Sequence, residues 1–226
     1  MKLLAIDTVT EACSAALWLD GEVRDRFELA PRRHTTLVLP MVQQLLAEAG
    51  ISLSQLDALA VDRGPGSFTG VRIGTSVVQG LGFAVDLPVV PVSSLATLAQ
   101  TVWQNLQHEN VLALIDARMQ EVYWAHYVLQ GQEMVLAGEE QVSAVAQITL
   151  DNQSSLCCVG SGSRQYSEQL QSLASCEVLA DSRYDYPHAA VLAGLAVKAY
   201  ERKEVVSAHQ LEPVYLRNQV VQAKSP

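Results

Sequence analysis

Residues 3–18 read LLAIDTVTEACSAALW, and residues 112–127 read LALIDARMQEVYWAHY. Aligned without a gap, Ile6-Asp7 falls on Ile115-Asp116. Each Asp follows an apolar run with the pattern of a buried strand, and each precedes a polar turn and a second apolar stretch. The match reads as a weak internal repeat, one topology met once and begun again. The competing reading is a chance likeness between two apolar strands that end in Ile-Asp.

Working outward from the first copy, strands are expected at 2–8, 13–19 and 22–29, the last two joined at Asp20-Gly21, a hairpin signal. A helix over 35–49 follows, with Gly50 as its C-cap and Pro40 in its first turns. A strand at 57–62, a glycine-rich turn, a helix over 68–85 and a short strand at 87–92 come next. Ser93 or Ser94 then caps a helix running to about residue 106. The second copy gives strand, turn, strand over 111–129, an apolar stretch at 141–150 and a strand at 155–160. A helix over 163–173, a long helix over 188–205 and a strand-like or coil-like segment at 212–221 complete it. The expected fold is α/β: two lobes with mixed sheets, residues 1–103 and 104–226.

The chain of 226 residues is 49% hydrophobic and 17% charged, a globular composition. Asp7 and Glu11 interrupt the apolar N-terminus, and no stretch has the length of a membrane span, so a cytosolic protein is expected. The formal net charge of −9 disfavours unaided binding to a phosphate backbone. The four cysteines (Cys13, Cys157, Cys158, Cys176) form no C-x-x-C, and reduced thiols are expected. The five histidines show no metal-ligand spacing, and no metal or cofactor is expected. No Ser-His-Asp or Cys-His set assembles either. Ser67 lacks the G-x-S-x-G context, and His34, in PRRHTTL, reads as a helix entry.

Residues 62–74, DRGPGSFTGVRIG, join a strand to a helix. Gly64, Gly66 and Gly70 could present backbone N–H groups to an anion. The stretch has neither G-x-x-x-x-G-K-[ST] nor G-x-G-x-x-G spacing, and its one added cation, Arg72, lies within the helix. A tight turn capped by Ser67 explains it without a ligand. Asp7 and Asp116, at strand ends that open toward a central cleft, suit a metal or an attacking water. An Asx-turn at each strand end explains them equally well. Thr8 and Thr10 add hydroxyls beside Asp7.

Two helices carry apolar residues on two faces each. In 35–49 these are Val38, Val42, Leu45 and Ala49 against Leu37, Met41 and Gln44. In 68–85 they are Ile73, Val77 and Leu81 against Val71, Gly74, Thr75 and Val78. Such helices are buried throughout, or they pack a core on one side and a partner on the other.

AIDT followed by EAC, PRRH, GPGSFTGVRIG, VSSLATLAQ, IDARMQEVYWAHY and EPVYLRN together resemble the bacterial TsaB (YeaZ) family over nearly the whole chain. The resemblance implies a two-lobed, actin-like ATPase-related (ASKHA) fold of two RNase H-like subdomains, the second degenerate. It implies a non-catalytic subunit of the machinery that adds threonylcarbamoyl to N6 of the adenosine beside the anticodon. That subunit would scaffold the catalytic TsaD, with the ATPase TsaE joining, form a homodimer when alone, and meet tRNA only through its partners. The partner face would be on the first two helices, here assigned to Leu37, Met41, Gln44, Val71, Gly74, Thr75 and Val78. Asp7, Thr8, Gly64, Gly66, Ser67 and Gly70 would form a degenerate phosphate loop. Asp62 and Val9 depart from the family, which more often has small residues there. Rival readings are a glycoprotease-like peptidase, an independent ATPase or sugar kinase of the same fold, and a stand-alone regulatory homodimer.

Overall fold

The computed structural model describes residues 1–150, 155–173 and 176–217. The first lobe opens with three strands, β1 (Lys2–Asp7), β2 (Ala12–Leu19) and β3 (Glu22–Leu29). Asp20 and Gly21 take φ values of 50° and 105°, the left-handed pair that a tight hairpin needs. Helix α1 (His34–Ala49), strand β4 (Ala58–Asp62), helix α2 (Phe68–Val85), strand β5 (Val89–Val92) and helix α3 (Ser94–Leu106) follow. Ser93 caps α3 by accepting the Leu95 and Ala96 N–H groups at 3.2 and 3.3 Å.

The second lobe contains β6 (Asn110–Asp116), β7 (Val122–Gln130), β8 (Glu133–Leu136), β9 (Gln141–Ser143), β10 (Leu156–Val159) and β11 (Cys176–Val178). Its helices are α4 (Ser161–Gln165), α5 (Ser167–Leu173) and α6 (Ala189–Glu201). The single helix expected over 163–173 is therefore two short ones, broken at Tyr166 (φ −115°, ψ 28°). The last helix stops at Glu201 rather than 205, because Lys203 turns left-handed (φ 63°) and Glu204 N–H closes back onto Ala199 O at 2.9 Å. Residues 212–217 are coil; the rest of the expected 212–221 segment lies outside the described residues.

The first sheet has the order β3-β2-β1-β4-β5, and the second has β8-β7-β6-β10-β11, with β9 also paired to β7. Antiparallel β2 and β7 flank β1 and β6 on one side, and parallel β4 and β10 flank them on the other. The two Asp residues repeat as well. Asp7 Oδ1 accepts the Val9 N–H and Asp116 Oδ1 accepts the Arg118 N–H, both at 3.0 Å. The repeat read from residues 3–18 and 112–127 is thus a repeat of strand order and turn chemistry. It is degenerate in the second lobe, where the described residues between β8 and β10 hold no counterpart of α1.

Alternation along each strand divides the first core in two. Leu4, Ile6, Leu17, Leu59 and Val61 face α1 and α2, while Leu3, Ala5, Ala16, Ala58 and Ala60 face α6. Helix α3 instead packs Leu95, Leu98, Ala99 and Val102 on the second sheet, against Val111, Ala113 and Ala125. The helix ending each half thus covers the sheet of the other half. A division at 103/104 separates the sheets but also parts α6 from the face it covers.

The expectation of four reduced thiols is corrected. Cys158 and Cys176 are joined as a disulfide, while Cys13 and Cys157 are free and buried. The parallel pairing of β10 and β11 sets Leu156 opposite Cys176 and Cys158 opposite Val178, which leaves the two sulfurs as diagonal neighbours on one face. Among the described residues, no helix is long and apolar enough to cross a membrane.

Candidate functional site

The glycine-rich turn sits where β1, β4 and α2 meet, and its chemistry is inward. Thr8 Oγ1 donates to Gly70 O at 2.7 Å, and Ser67 N–H donates to Val9 O at 2.7 Å. Gly70 N–H donates to Ser67 Oγ at 3.3 Å, and Gly64 N–H donates to Asp62 Oδ1 at 2.8 Å. A Cβ on Gly66 would lie 2.4 Å from Val9 O, and one on Gly70 would lie 2.1 Å from Thr8 O. The glycines therefore let the start of α2 lie directly on the backbone of residues 8 and 9. Arg72 is also engaged: its guanidinium lies 3.5 Å over the Phe68 ring, and its Nε donates to Tyr215 Oη at 2.8 Å. The fold family implies a nucleotide, but the residues here do not fit a phosphate cradle. The N–H groups of Gly64 and Gly70 are bonded within the turn and that of Ser67 to Val9 O, and Asp7 and Asp62 are buried beside it.

The structure thus brings Asp7, Thr8, Gly64, Gly66, Ser67 and Gly70 together, as the sequence suggested, around a packing contact. Asp116, by contrast, faces the cleft between the lobes. This cleft, of about 1070 Å³, is lined in part by Thr10, Ser67, Tyr123, Tyr186 and Arg217. Asp116 is ion-paired to Arg118 at 3.4 Å, and Arg118 reaches across to Glu11 at 3.2 Å. The sequence marked a turn here but not its form: Arg118, Met119 and Gln120 take φ of 64°, 56° and 64° in succession, with no glycine among them. His34, the first residue of α1, is buried and bonded to Ala12 O at 3.1 Å, the helix entry expected.

The candidate partner face needs a correction. Met41, Val71, Gly74, Thr75 and Val78 lie inside the first lobe's own fold, Val71 and Val78 with 1% and 0% exposure. Gly74 faces Thr8 Oγ1, where a Cβ would lie at 2.7 Å. Of the two apolar stripes on α2, this is the one that meets the sheet. The other stripe, Ile73, Val77 and Leu81, is half-buried, as is Leu37 of α1, and packs against the edge of the same core. Exposed Gln44, Leu39 (43%) and Phe83 (72%) extend the outer surface of the two helices. Ser76, Gly80 and Ala84 are exposed between them, and nothing lies within 4 Å of a Cβ built at Gly80. The small residues on the outer surface of α2 are therefore these three, whereas Gly70 and Gly74 face Thr8.

Comparison with known proteins agrees along the whole chain. A family model described as TsaD, tRNA N6-adenosine threonylcarbamoyltransferase, matches residues 28–224. The tRNA threonylcarbamoyladenosine biosynthesis protein TsaB of Escherichia coli (strain K12) is 43% identical over 231 residues, covering 100% of this chain and 99% of that protein. Its Haemophilus influenzae namesake is 43% identical over 241 residues, covering 100% and 98%. The solved structure of YeaZ from Pseudomonas aeruginosa superposes with a TM-score of 0.89 at 46% identity, covering 95% of this chain and 99% of that one. Two mixed sheets of one strand order, a degenerate second copy and these likenesses give the fold as the two-lobed, actin-like ASKHA architecture. The chain belongs to the TsaB (YeaZ) family of tRNA threonylcarbamoyladenosine biosynthesis proteins.

Proposed function

We propose that this chain is a non-catalytic subunit of the assembly that transfers threonylcarbamoyl to N6 of the adenosine beside the anticodon in tRNA. It pairs with a TsaD-type catalytic subunit through the outer faces of α1 and α2, and the ATPase TsaE joins that pair. In the absence of the catalytic subunit, the same face makes a homodimer. The observation that carries the pairing is the Ile73, Val77 and Leu81 stripe, left half-buried like Leu37 of α1 while the opposite stripe fills the core. An apolar helix surface flanked by small residues suits close packing of a second helix.

Two features support the absence of chemistry. The turn that resembles a phosphate loop is filled by the backbone of residues 8 and 9. Of the two repeated carboxylates, Asp7 is wholly buried and Asp116 is held by Arg118. The net charge of −9 supports a reading in which the partners make the contacts to tRNA.

Ser76→Arg puts a charge into the proposed contact from an exposed position that is not packed against the core. It should abolish co-purification with the catalytic subunit while the far-ultraviolet circular dichroism and melting temperature stay close to those of the parent chain. Stoichiometric co-purification of the variant would move the interface elsewhere. In a reconstituted tRNA threonylcarbamoylation assay, Asp116→Asn should support full activity. Loss of activity with an intact complex would overturn the non-catalytic reading.

A further inference from the structure

Asp7 and Asp62 are 55 residues apart in sequence and adjacent in the fold. The β1–β4 register pairs Ile6 with Val61, so the next residue on each strand sets the two carboxyls side by side. Both continue the row of Leu3, Ala5, Ala58 and Ala60 that faces α6, and neither has any exposed surface. Asp7 accepts the Val9 N–H at 3.0 Å, with Ser14 opposite it on β2; Asp62 accepts the Gly64 N–H at 2.8 Å. Oδ2 of each carboxyl is buried with no donor from the rest of the chain.

The charges around the pair do not relieve it. From the connection after β4, Arg63 acts on Asp62, but its guanidinium is paired with Glu140 at 3.2 Å. Glu140 comes from the connection after β8 and also takes bonds from Ser93 and from the Tyr127 hydroxyl of β7. On the β2 side stand Ser14 and the free thiol of Cys13. On the α6 side, Ala189 N–H donates to Ser14 Oγ at 3.0 Å. His188, the α6 cap, has its ring against Asp25 at 3.7 Å. α2 contributes the bond between Thr8 Oγ1 and Gly70 O. Two carboxylates side by side, both desolvated and without a cation of their own, do not both ionise.

We propose that Asp7 and Asp62 share one proton that the folded chain retains at neutral pH, and that losing it loosens the two turns seating the N-terminus of α2. The link is direct. Asp7 holds the Val9 N–H, Val9 O holds the Ser67 N–H at the cap of α2, and Asp62 holds Gly64 at the other end of that turn. The direction of titration agrees: burial pushes Asp7 up to about 7, and burial together with the charge of Asp7 pushes Asp62 well above its ordinary value. The folded chain then binds more protons than the unfolded chain from the ordinary carboxyl range up to its own titration. Stability contributed by the pair is fully present at low pH and falls as pH rises through that window. For one proton, the folding equilibrium constant drops about tenfold per pH unit.

The dyad belongs to the free chain, so its test needs no partner. Infrared spectra of the full chain at pH 7 should show a protonated-carboxyl band that Asp7→Asn and Asp62→Asn each remove. Between pH 5 and 7, the folding constant from urea titration should fall about tenfold per pH unit more steeply in the parent chain than in Asp62→Asn, whose amide can donate to Asp7. Hydrogen exchange at Ser67 N–H should accelerate over the same range beyond its intrinsic dependence on pH. A parent chain without the band at pH 7 overturns the proposal, and that measurement stands even where a variant fails to fold. Equal pH slopes in the parent and Asp62→Asn also overturn it.

Discussion

Two glycines of one helix should respond to alanine with opposite signs. Gly70 and Gly80 both lie within α2, where alanine is favoured over glycine by about 1 kcal/mol on backbone grounds alone. At Gly80 a Cβ meets nothing within 4 Å, so Gly80→Ala should stabilise the chain by about 0.5–1 kcal/mol. At Gly70 the Cβ would stand 2.1 Å from Thr8 O, and the obstacle is backbone, which no rotamer change moves aside. Relieving the contact means separating α2 from residues 8 and 9 by roughly 1 Å. That motion strains the Thr8 Oγ1 to Gly70 O and Ser67 N to Val9 O bonds, both 2.7 Å. Overpacking costs about 1–3 kcal/mol, and each weakened buried hydrogen bond adds about 1 kcal/mol. Set against the helix gain, Gly70→Ala should destabilise by about 3 kcal/mol. Urea titration followed by the fluorescence of Trp18, Trp103 and Trp124 measures both variants on the full chain. If both substitutions stabilise, the turn is open rather than packed, and the physical case against a phosphate cradle collapses.

Other outcomes are smaller in scope. Ser93→Ala removes the cap of α3 and a donor to buried Glu140, and urea titration should show a loss of about 2 kcal/mol. Burial pushes the Cys13 and Cys157 thiols up to about 12, so at pH 8 the folded chain should leave both unlabelled by a thiol-disulfide reagent that modifies them in urea. Rapid native labelling of either would contradict the packing described for β2 or β10. Arg202 pairs with Glu133 and Glu204, each at 2.9 Å, but is half exposed, so Arg202→Ala should cost no more than about 1 kcal/mol and less at high salt.

What the sequence made legible follows from the range of the forces involved. The bounds of β3 and α2 and the turn at Asp20-Gly21 are set by local pattern, and the structure has them where the pattern put them. The two stripes of α2 were both visible, but not which one meets the sheet. Both are apolar; the choice depends on Thr8, which reaches Gly70 and Gly74 through a contact spanning more than sixty residues. Asp62 was read only as a departure from the family, because its partner Asp7 becomes a neighbour only through the register of two parallel strands. A signal for the pair was present: each Asp ends an apolar strand and accepts the N–H two residues on. The break at Tyr166 and the left-handed form of the turn at Arg118–Gln120 carried no proline or glycine of their own, and local chemistry left them unmarked.

The exchange of α3 and α6 between the sheets has a mechanical consequence. The N-terminus of α6 is tied to Ser14 of the first sheet, while Lys198 Nζ, near its other end, donates to Gln132 O of the second lobe at 2.6 Å. The last described segment crosses the same boundary: Val214 N–H donates to Arg63 O at 2.9 Å, and an Arg217 guanidinium N–H donates to Ala117 O at 3.1 Å. Arg63 and Glu140 add a largely buried ion pair between the lobes, and Arg118 and Glu11 an exposed one. Rotating one lobe against the other would break these together. The buried pair alone would leave an uncompensated charge, a loss of about 3 kcal/mol or more. An enzyme that opens and closes around a nucleotide needs a soft boundary at this place. The proposed pairing through α1 and α2 needs those helices held at one angle, and these bonds hold the lobe that carries them.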